Sequence, residues 1–160
     1  MTPTSPPSLT DVQRFVLERV AAGATCRQVS RELHCSEVTV RSHSMRLRER
    51  LGADTLAHAV DIAHRIGLLD GHAPRPADAA TGPLTDRDLD VLRLIAIGMS
   101  NSAIAERLGR RQDAVADQVR RIRGRLGARD RTHAITIAIA HHLIDAGHVI
   151  GLDHSRETAA

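Results

Sequence analysis

The side chains best suited to chemistry lie along one stretch, residues 36–51, where arginines alternate with small polar residues. Placed on a helical wheel at about 100° per residue, Val40, Ser44, Leu47 and Leu51 share one side, and Val38, Arg41, Ser42, Met45, Arg46 and Glu49 share the other. A helix with this front and this apolar back meets the demands of the major groove of duplex DNA. Small residues let the backbone approach the base edges, guanidinium groups reach guanine or phosphate, and the back holds the helix to a scaffold. The same pattern also describes an ordinary solvated amphipathic helix, so the surrounding elements decide between the two.

Those elements are legible from their punctuation. Thr10 with Gln13 forms a capping box that opens an apolar stripe of Val12, Phe15, Val16 and Val20, and Gly23 closes it. Thr25 with Gln28 repeats the signature for a short second helix carrying Val29 and Leu33. His34 and Cys35 leave room only for a tight turn before Ser36, which caps the third helix; Gly52 stops it. Asp54 is expected to cap a fourth helix with Ala59, Val60 and Ala63 inward. A short helix, a tight turn and a longer helix make a helix-turn-helix, which favours the groove-reading interpretation of residues 36–51.

The whole unit then recurs. Residues 9–69 laid over 84–144, at a constant offset of 75 and without a gap, give 20 identities in 61 positions. Leu9-Thr10-Asp11 returns as Leu84-Thr85-Asp86, Gly23 as Gly98, Leu33 as Leu108, Leu51-Gly52-Ala53 as Leu126-Gly127-Ala128, and His58-Ala59 as His133-Ala134. Preserved caps, stops and core positions imply an all-α chain of two tandem four-helix domains, 9–69 and 84–150, the second with an extended fourth helix. A linker at 70–83 and flexible ends at 1–8 and 151–160 complete the organisation. Units of about 60 residues lie near the lower limit for an independent core, so each should lean on a partner surface.

Composition narrows the function classes. Phe15 is the only aromatic residue, which leaves no stacking platform for single-stranded nucleic acid or sugars. All 22 basic residues are arginine, and although net charge is only +3 the positives cluster. Arginine is the better ligand for phosphate and guanine. There is no signal peptide and no apolar run approaching about 18 residues, so a cytoplasmic, nucleoid-associated protein with no membrane partner is expected. Cys26 and Cys35 lack a CxxC spacing and read as free thiols, and no metal site is assigned to them with His34 and His43. No phosphate-cradling glycine loop or nucleophile motif is present, so neither enzyme activity nor a cofactor is expected.

Leu9-Thr10, Gly23, Val29, Leu33, the run Ser36-Glu37-Val38-Thr39-Val40-Arg41-Ser42-His43, Arg46, Leu51-Gly52 and Ala59-Val60 resemble the LuxR/GerE-type helix-turn-helix. The resemblance covers nearly all of unit one and implies a DNA-binding domain with its third helix in the major groove and its fourth often used for dimerisation. Carried over by position, Arg41, Ser42 and Met45 are base-facing, and Thr39, Arg46 and Arg50 are phosphate contacts. His43 falls at a position near the backbone, where a phosphate contact and a packed flank are both open. Most members of the family carry a sensory domain; none is expected here, which leaves the control signal illegible.

Unit two resembles the family's scaffold still better, through Leu84-Thr85, Gly98-Met99-Ser100-Asn101, Ile104-Ala105-Glu106-Arg107-Leu108 and Arg125-Leu126-Gly127. Its third helix departs from the pattern. Ser36 becomes Arg111, Thr39 becomes Ala114, Arg41 becomes Ala116, Ser42 becomes Asp117 and His43 becomes Gln118. Carboxylates at Asp113 and Asp117 are repelled by phosphate, so impaired base readout is expected, with Arg110, Arg111, Arg120 and Arg121 left for auxiliary backbone contact. The fourth helices differ too: Asp61, His64 and Arg65 face outward in unit one, against an apolar face of Ile137, Ile139, Ala140, Leu143 and Ile144 in unit two. Such a face needs a cover. A homodimer through these residues is the preferred expectation, and cover by unit one of the same chain the other.

The expectation is a sequence-specific regulator of transcription with double-stranded DNA as its partner. Two other readings compete. One is an adaptor or antagonist that binds RNA polymerase, a sigma factor or another regulator; the other is a nucleoid-type protein of low sequence preference.

Overall fold

Helices start where side chains satisfy their first amide groups, and the computed structural model, which describes residues 8–69 and 83–145, follows that rule closely. Unit one comprises α1 (Asp11–Ala21), α2 (Cys26–Glu32), α3 (Glu37–Leu51) and α4 (Leu56–Arg65). Unit two repeats them as α5 (Asp86–Ala96), α6 (Asn101–Arg107), α7 (Gln112–Leu126) and α8 (Arg131–Ala140), and no strand occurs among the described residues. The expected linker and both expected flexible ends lie almost wholly outside those residues.

Thr10 and Thr25 form complete capping boxes with Gln13 and Gln28, and the Ser36 hydroxyl accepts the Thr39 N–H at 3.1 Å. The stops are also as expected: Gly52 and Gly127 end α3 and α7 in the left-handed conformation. Two histidines take left-handed positions that the other copy gives to glycine. His34 (φ 51°) stands where unit two has Gly109, and His142 (φ 54°) stands where unit one has Gly67.

Four details differ from the sequence reading. The cap of α4 is Thr55, whose hydroxyl accepts the His58 N–H at 3.1 Å; Asp54 lies one residue too early, and its N–H donates to His58 Nδ1. Asp130 does the same for α8 in unit two, accepting from the His133 N–H at 2.9 Å. Val12 is exposed at the start of α1, and Gln13 and Leu17 take the inward positions beside Val16. Unit two has no extended fourth helix: α8 is ten residues long, like α4, and His142 turns the chain so that Leu143 and Ile144 fold back on it. Asp61, expected outward, is buried and pairs with Arg65 at 3.3 Å.

The burial of Asp61 follows from how the units meet. α4 packs along α8, α1 touches α8, and α4 touches α5, so each unit presents the same elements to the other about an approximate two-fold axis. One apolar core runs through the contact, joining Leu17, Ala59, Val60 and Ala63 to Val91, Leu92, Ile135 and Ala138. A second, smaller cluster of Val16, Val20, Ala24, Val29 and Val40 lies under the helix-turn-helix of unit one alone.

The open apolar face on which an intermolecular dimer was expected does not exist. Ile137 and Ile144 are each 3% exposed within the single chain, and Ile139, Ala140 and Leu143 are half-buried. Burying such a side chain stabilises by about 1.5–3 kcal/mol, and unit one supplies the cover at once, without a second chain.

A reciprocal contact sets the close approach. Gly23, between α1 and α2, lies under the ring of His133, and its equivalent Gly98 lies under His58. Each imidazole is oriented alike, its Nδ1 accepting a backbone N–H at 3.3 Å, from Arg129 for His133 and from Asp54 for His58. A Cβ built on Gly23 would stand 2.5 Å from His133 Nδ1, and Gly23 also has φ +79°.

The prediction is therefore comparative. Gly52 has a similar φ of +65° with nothing within 4 Å of an added Cβ. Gly52→Ala should cost about 1–2 kcal/mol of unfolding free energy, the backbone term alone, and Gly23→Ala a further 1–3 kcal/mol for the collision between units. Paired urea denaturation curves measure the difference.

His133 adds a pH dependence. Burial holds its pKa below the usual 6.5, and Arg129 lowers it further while Asp130 opposes. The unfolded chain then takes up the proton first, so stability should be lost as pH falls below about 6.5. Urea midpoints at neutral and mildly acid pH, compared between the unsubstituted protein and His133→Gln, check this; the substituted protein should lose that part of the acid sensitivity.

Candidate nucleic-acid interface

α3 is fixed from behind. Val40 and Leu47 are fully buried and Ser44 and Leu51 nearly so, where α3 packs against α1, α2 and α4. The Ser44 hydroxyl has no need of solvent because it donates to the Val40 carbonyl at 2.9 Å. All four residues assigned to the back of the helix are thus inside, which turns the other side outward.

The outward side carries the residues expected to read bases. The Arg41 side chain is 66% exposed, tethered only by a 3.5 Å pair with Glu37, and a surface pair of that kind contributes about 0–1 kcal/mol. Its guanidinium is therefore available to exchange Glu37 for a stronger acceptor. Met45 is exposed beside it and Ser42 is half-buried at the edge of the face. Val38, one helical turn before Ser42, is the most exposed large apolar side chain among the described residues, at 69%. It was legible as outward but had been given no task; an apolar group beside the base edges suits a thymine methyl.

The expected phosphate contacts divide. Arg46 is exposed on the flank and His43 is half-buried there. The Thr39 hydroxyl lies 2.9 Å from the Ser36 hydroxyl at the amino end of α3, where backbone amides point outward. Arg50 is exposed but donates to the Ser8 carbonyl, tying the entry segment of the unit to the end of α3. The structure also gives Arg48 a role that sequence reasoning missed: it donates to the Asp54 carbonyl at 2.8 Å and fastens the turn into α4. The identity of Arg123, which holds the Arg129 carbonyl in the same way, was the available signal.

α7 presents a different surface on the same frame. Arg111 offers no side-chain cap, and its guanidinium pairs with Asp113 at 2.9 Å. Arg120 pairs with Asp117 at 2.7 Å. Both pairs are exposed, so two carboxylates and two alanines, Ala114 and Ala116, occupy the face that Thr39, Arg41 and Ser42 occupy in α3. Gln118, the counterpart of His43, is buried: its amide donates to Asp88 Oδ1 at 2.8 Å and to the Arg87 carbonyl at 3.1 Å, and its oxygen accepts from Arg110.

Asp88 is the hub of that network. Burial pushes its carboxyl up, but the Gln118 amide, Thr85 and the Arg125 guanidinium at 2.8 Å together hold it below the usual 3.8. Arg121 stands exposed above. Among the described residues no group of three or more His, Cys, Asp or Glu is placed to hold a metal ion, and Cys26 and Cys35 are free and half-buried. No helix among them is long and apolar enough to cross a membrane.

The family model for bacterial regulatory proteins of the luxR family, GerE, matches twice, at residues 7–63 and 82–138. An uncharacterized transcriptional regulatory protein, YxjL, of Bacillus subtilis is 37% identical over 68 residues, 42% of this chain and 31% of that protein. The probable transcriptional regulatory protein NarL of Mycobacterium tuberculosis is 41% identical over 64 residues, 40% of this chain and 30% of that protein. The chain thus aligns with about three-tenths of the length of these relatives. No solved structure matches it.

The missing cap on α7 yields a direct test. Arg111→Ser restores the residue that caps α3 and should stabilise the protein by about 0.5–2 kcal/mol, read from thermal or urea unfolding. No gain would mean that the Arg111–Asp113 pair already compensates for the absent cap.

Proposed function

The chain belongs to the luxR family of bacterial regulatory proteins, and from that premise we propose that it is a sequence-specific regulator of transcription acting as an internal pseudo-dimer on double-stranded DNA. Unit one reads the major groove through α3, and unit two supplies, inside the same polypeptide, the paired surface that supports unit one. The observation that carries this reading is the contrast between two equivalent helices. α3 turns an exposed Arg41, with Ser42, Met45 and Val38, away from a locked apolar back, whereas α7 turns Asp113 and Asp117 outward from an equally locked one.

On this reading Arg41 takes a guanine edge, Ser42 and Met45 fit the adjoining bases, and Thr39, His43, Arg46 and Arg50 grip the flanking phosphates. Arg110, Arg111, Arg120 and Arg121 act on the backbone alone. The regulator works as one chain per site, with the chromosome in the cytoplasm as its place of action. The exposed carboxylates of Asp113 and Asp117 on α7 also favour a second reading of that unit, as a surface for another regulator.

The test starts from duplexes selected out of a random pool by the protein. Arg41→Ala should lower affinity for the selected duplex by about 1–3 kcal/mol while leaving random duplex nearly unchanged, because a bidentate arginine contributes that much discrimination. Arg46→Ala should weaken both alike. Mobility-shift titrations compare them, and equal loss on both duplexes for Arg41→Ala would remove Arg41 from the reading set.

Sedimentation should show one chain free and one chain bound. A stable free dimer at micromolar concentration would overturn the internal pseudo-dimer.

A further inference from the structure

The two copies differ in one more place, and the difference is concerted. Between α5 and α7 a cavity of about 300 Å³ is walled by Arg87, Arg110, Arg121 and Arg125, with Asp88 and Gln118 at its base. Ligand sites begin at about this volume. A second cavity of about 440 Å³ adjoins it and shares Arg87 and Arg110. In unit one, Arg121 and Arg125 correspond to Arg46 and Arg50, but Arg87 corresponds to Val12 and Arg110 to Cys35. Unit two therefore carries two arginines at this trough that unit one lacks, while its α7 has no counterpart to Arg41.

The base of the trough is built to hold the guanidinium groups in place. Asp88 pairs with Arg125 at 2.8 Å, and Gln118, 4% exposed, is fixed by Asp88 and the Arg87 carbonyl and accepts from Arg110. One carboxylate faces four arginines, so the trough keeps a formal charge of about +3, concentrated on planar donors whose geometry suits bidentate contact with phosphate oxygens. Without an aromatic ring or an apolar wall of any size, it has nothing to recognise a base or an acyl chain.

We propose that this trough in unit two is a binding site for a phosphate ester group, one that unit one does not possess. The group belongs either to the sugar-phosphate strand of bound DNA or to a free phosphorylated small molecule. In the first case the site rests on the regulator reading above and gives unit two a grip that carries no sequence information. In the second it is independent of that reading and provides a control input.

The test uses the full chain and the double variant Arg87→Val, Arg110→Ser, which alters two exposed side chains and leaves Asp88, Gln118 and Arg125 in place. Two measurements are made: calorimetric titration with inorganic pyrophosphate against sodium chloride of equal ionic strength, and the salt dependence of binding to random duplex. For a strand phosphate, the variant should lower the slope of log K against log salt by about 1–2, near 0.9 per lost contact. For a free ligand, pyrophosphate should bind the unsubstituted protein and not the variant, and Arg87→Val alone, which leaves the backbone contact assigned to Arg110 in place, should not change the DNA slope.

If both quantities are the same in the two proteins, the proposal is wrong. Pyrophosphate binding lost in the variant, from a protein that binds no duplex at all, would leave the site standing and remove the regulator reading.

Discussion

The packing of α4 along α8 is the contact on which everything else depends. Each unit is near the size at which a core no longer stabilises itself, and α8 of unit two is apolar on more than one side. Joining the two faces turns two marginal cores into one, from Leu17 through Val60 to Leu92 and Ile135. The tandem duplication provides the partner surface at a concentration no separate chain could match, because the second unit is always tethered nearby. His58 over Gly98 and His133 over Gly23 then fix the register of the contact at both ends.

That internal pairing frees the two copies to diverge. When two separate chains of one sequence pair, both reading helices must be the same; within one chain they need not be. α3 keeps an exposed arginine in front of a buried back, while α7 keeps the back and replaces the front by paired Asp113–Arg111 and Asp117–Arg120. The scaffold arginines show what was retained for folding. Arg48 and Arg123 fasten the same turn, and Arg50 and Arg125 hold the same entry segment through the carbonyls of Ser8 and Pro83. Shared positions that hydrogen-bond within the fold are thus a guide to structure, and positions that differ on the exposed face are a guide to what separates the two copies in binding.

Much of this was legible in the linear sequence because the information is local. Caps at Thr10, Thr25 and Ser36, stops at Gly52 and Gly127, and the back of α3 at Val40, Ser44, Leu47 and Leu51 follow from hydrogen-bonding chemistry and helical period, and all occur as read. The cap of α4 was misplaced by one residue because Asp54 and Thr55 are both good caps in sequence, and only backbone geometry chooses between them. The ungapped offset likewise shows the domain pair, and the motif residues of each copy carry the resemblance to a known family.

What only the tertiary structure decided is which surfaces meet. An apolar face on α8 states that cover is needed and is silent about its source, since burial is non-directional and any complementary apolar surface would serve. The fold supplies it from α1 and α4 of the same chain, which buries both Asp61 and its counterpart Thr136 and occupies the face expected to join two molecules. The trough of unit two is of the same kind: Arg87, Arg110, Arg121 and Arg125 are far apart in sequence, and only the packing of α5 on α7 brings them to one place. Sequence alone determined the helices and the chemistry each carries; proximity between distant segments, which sets both the pairing and the site, belongs to the folded chain.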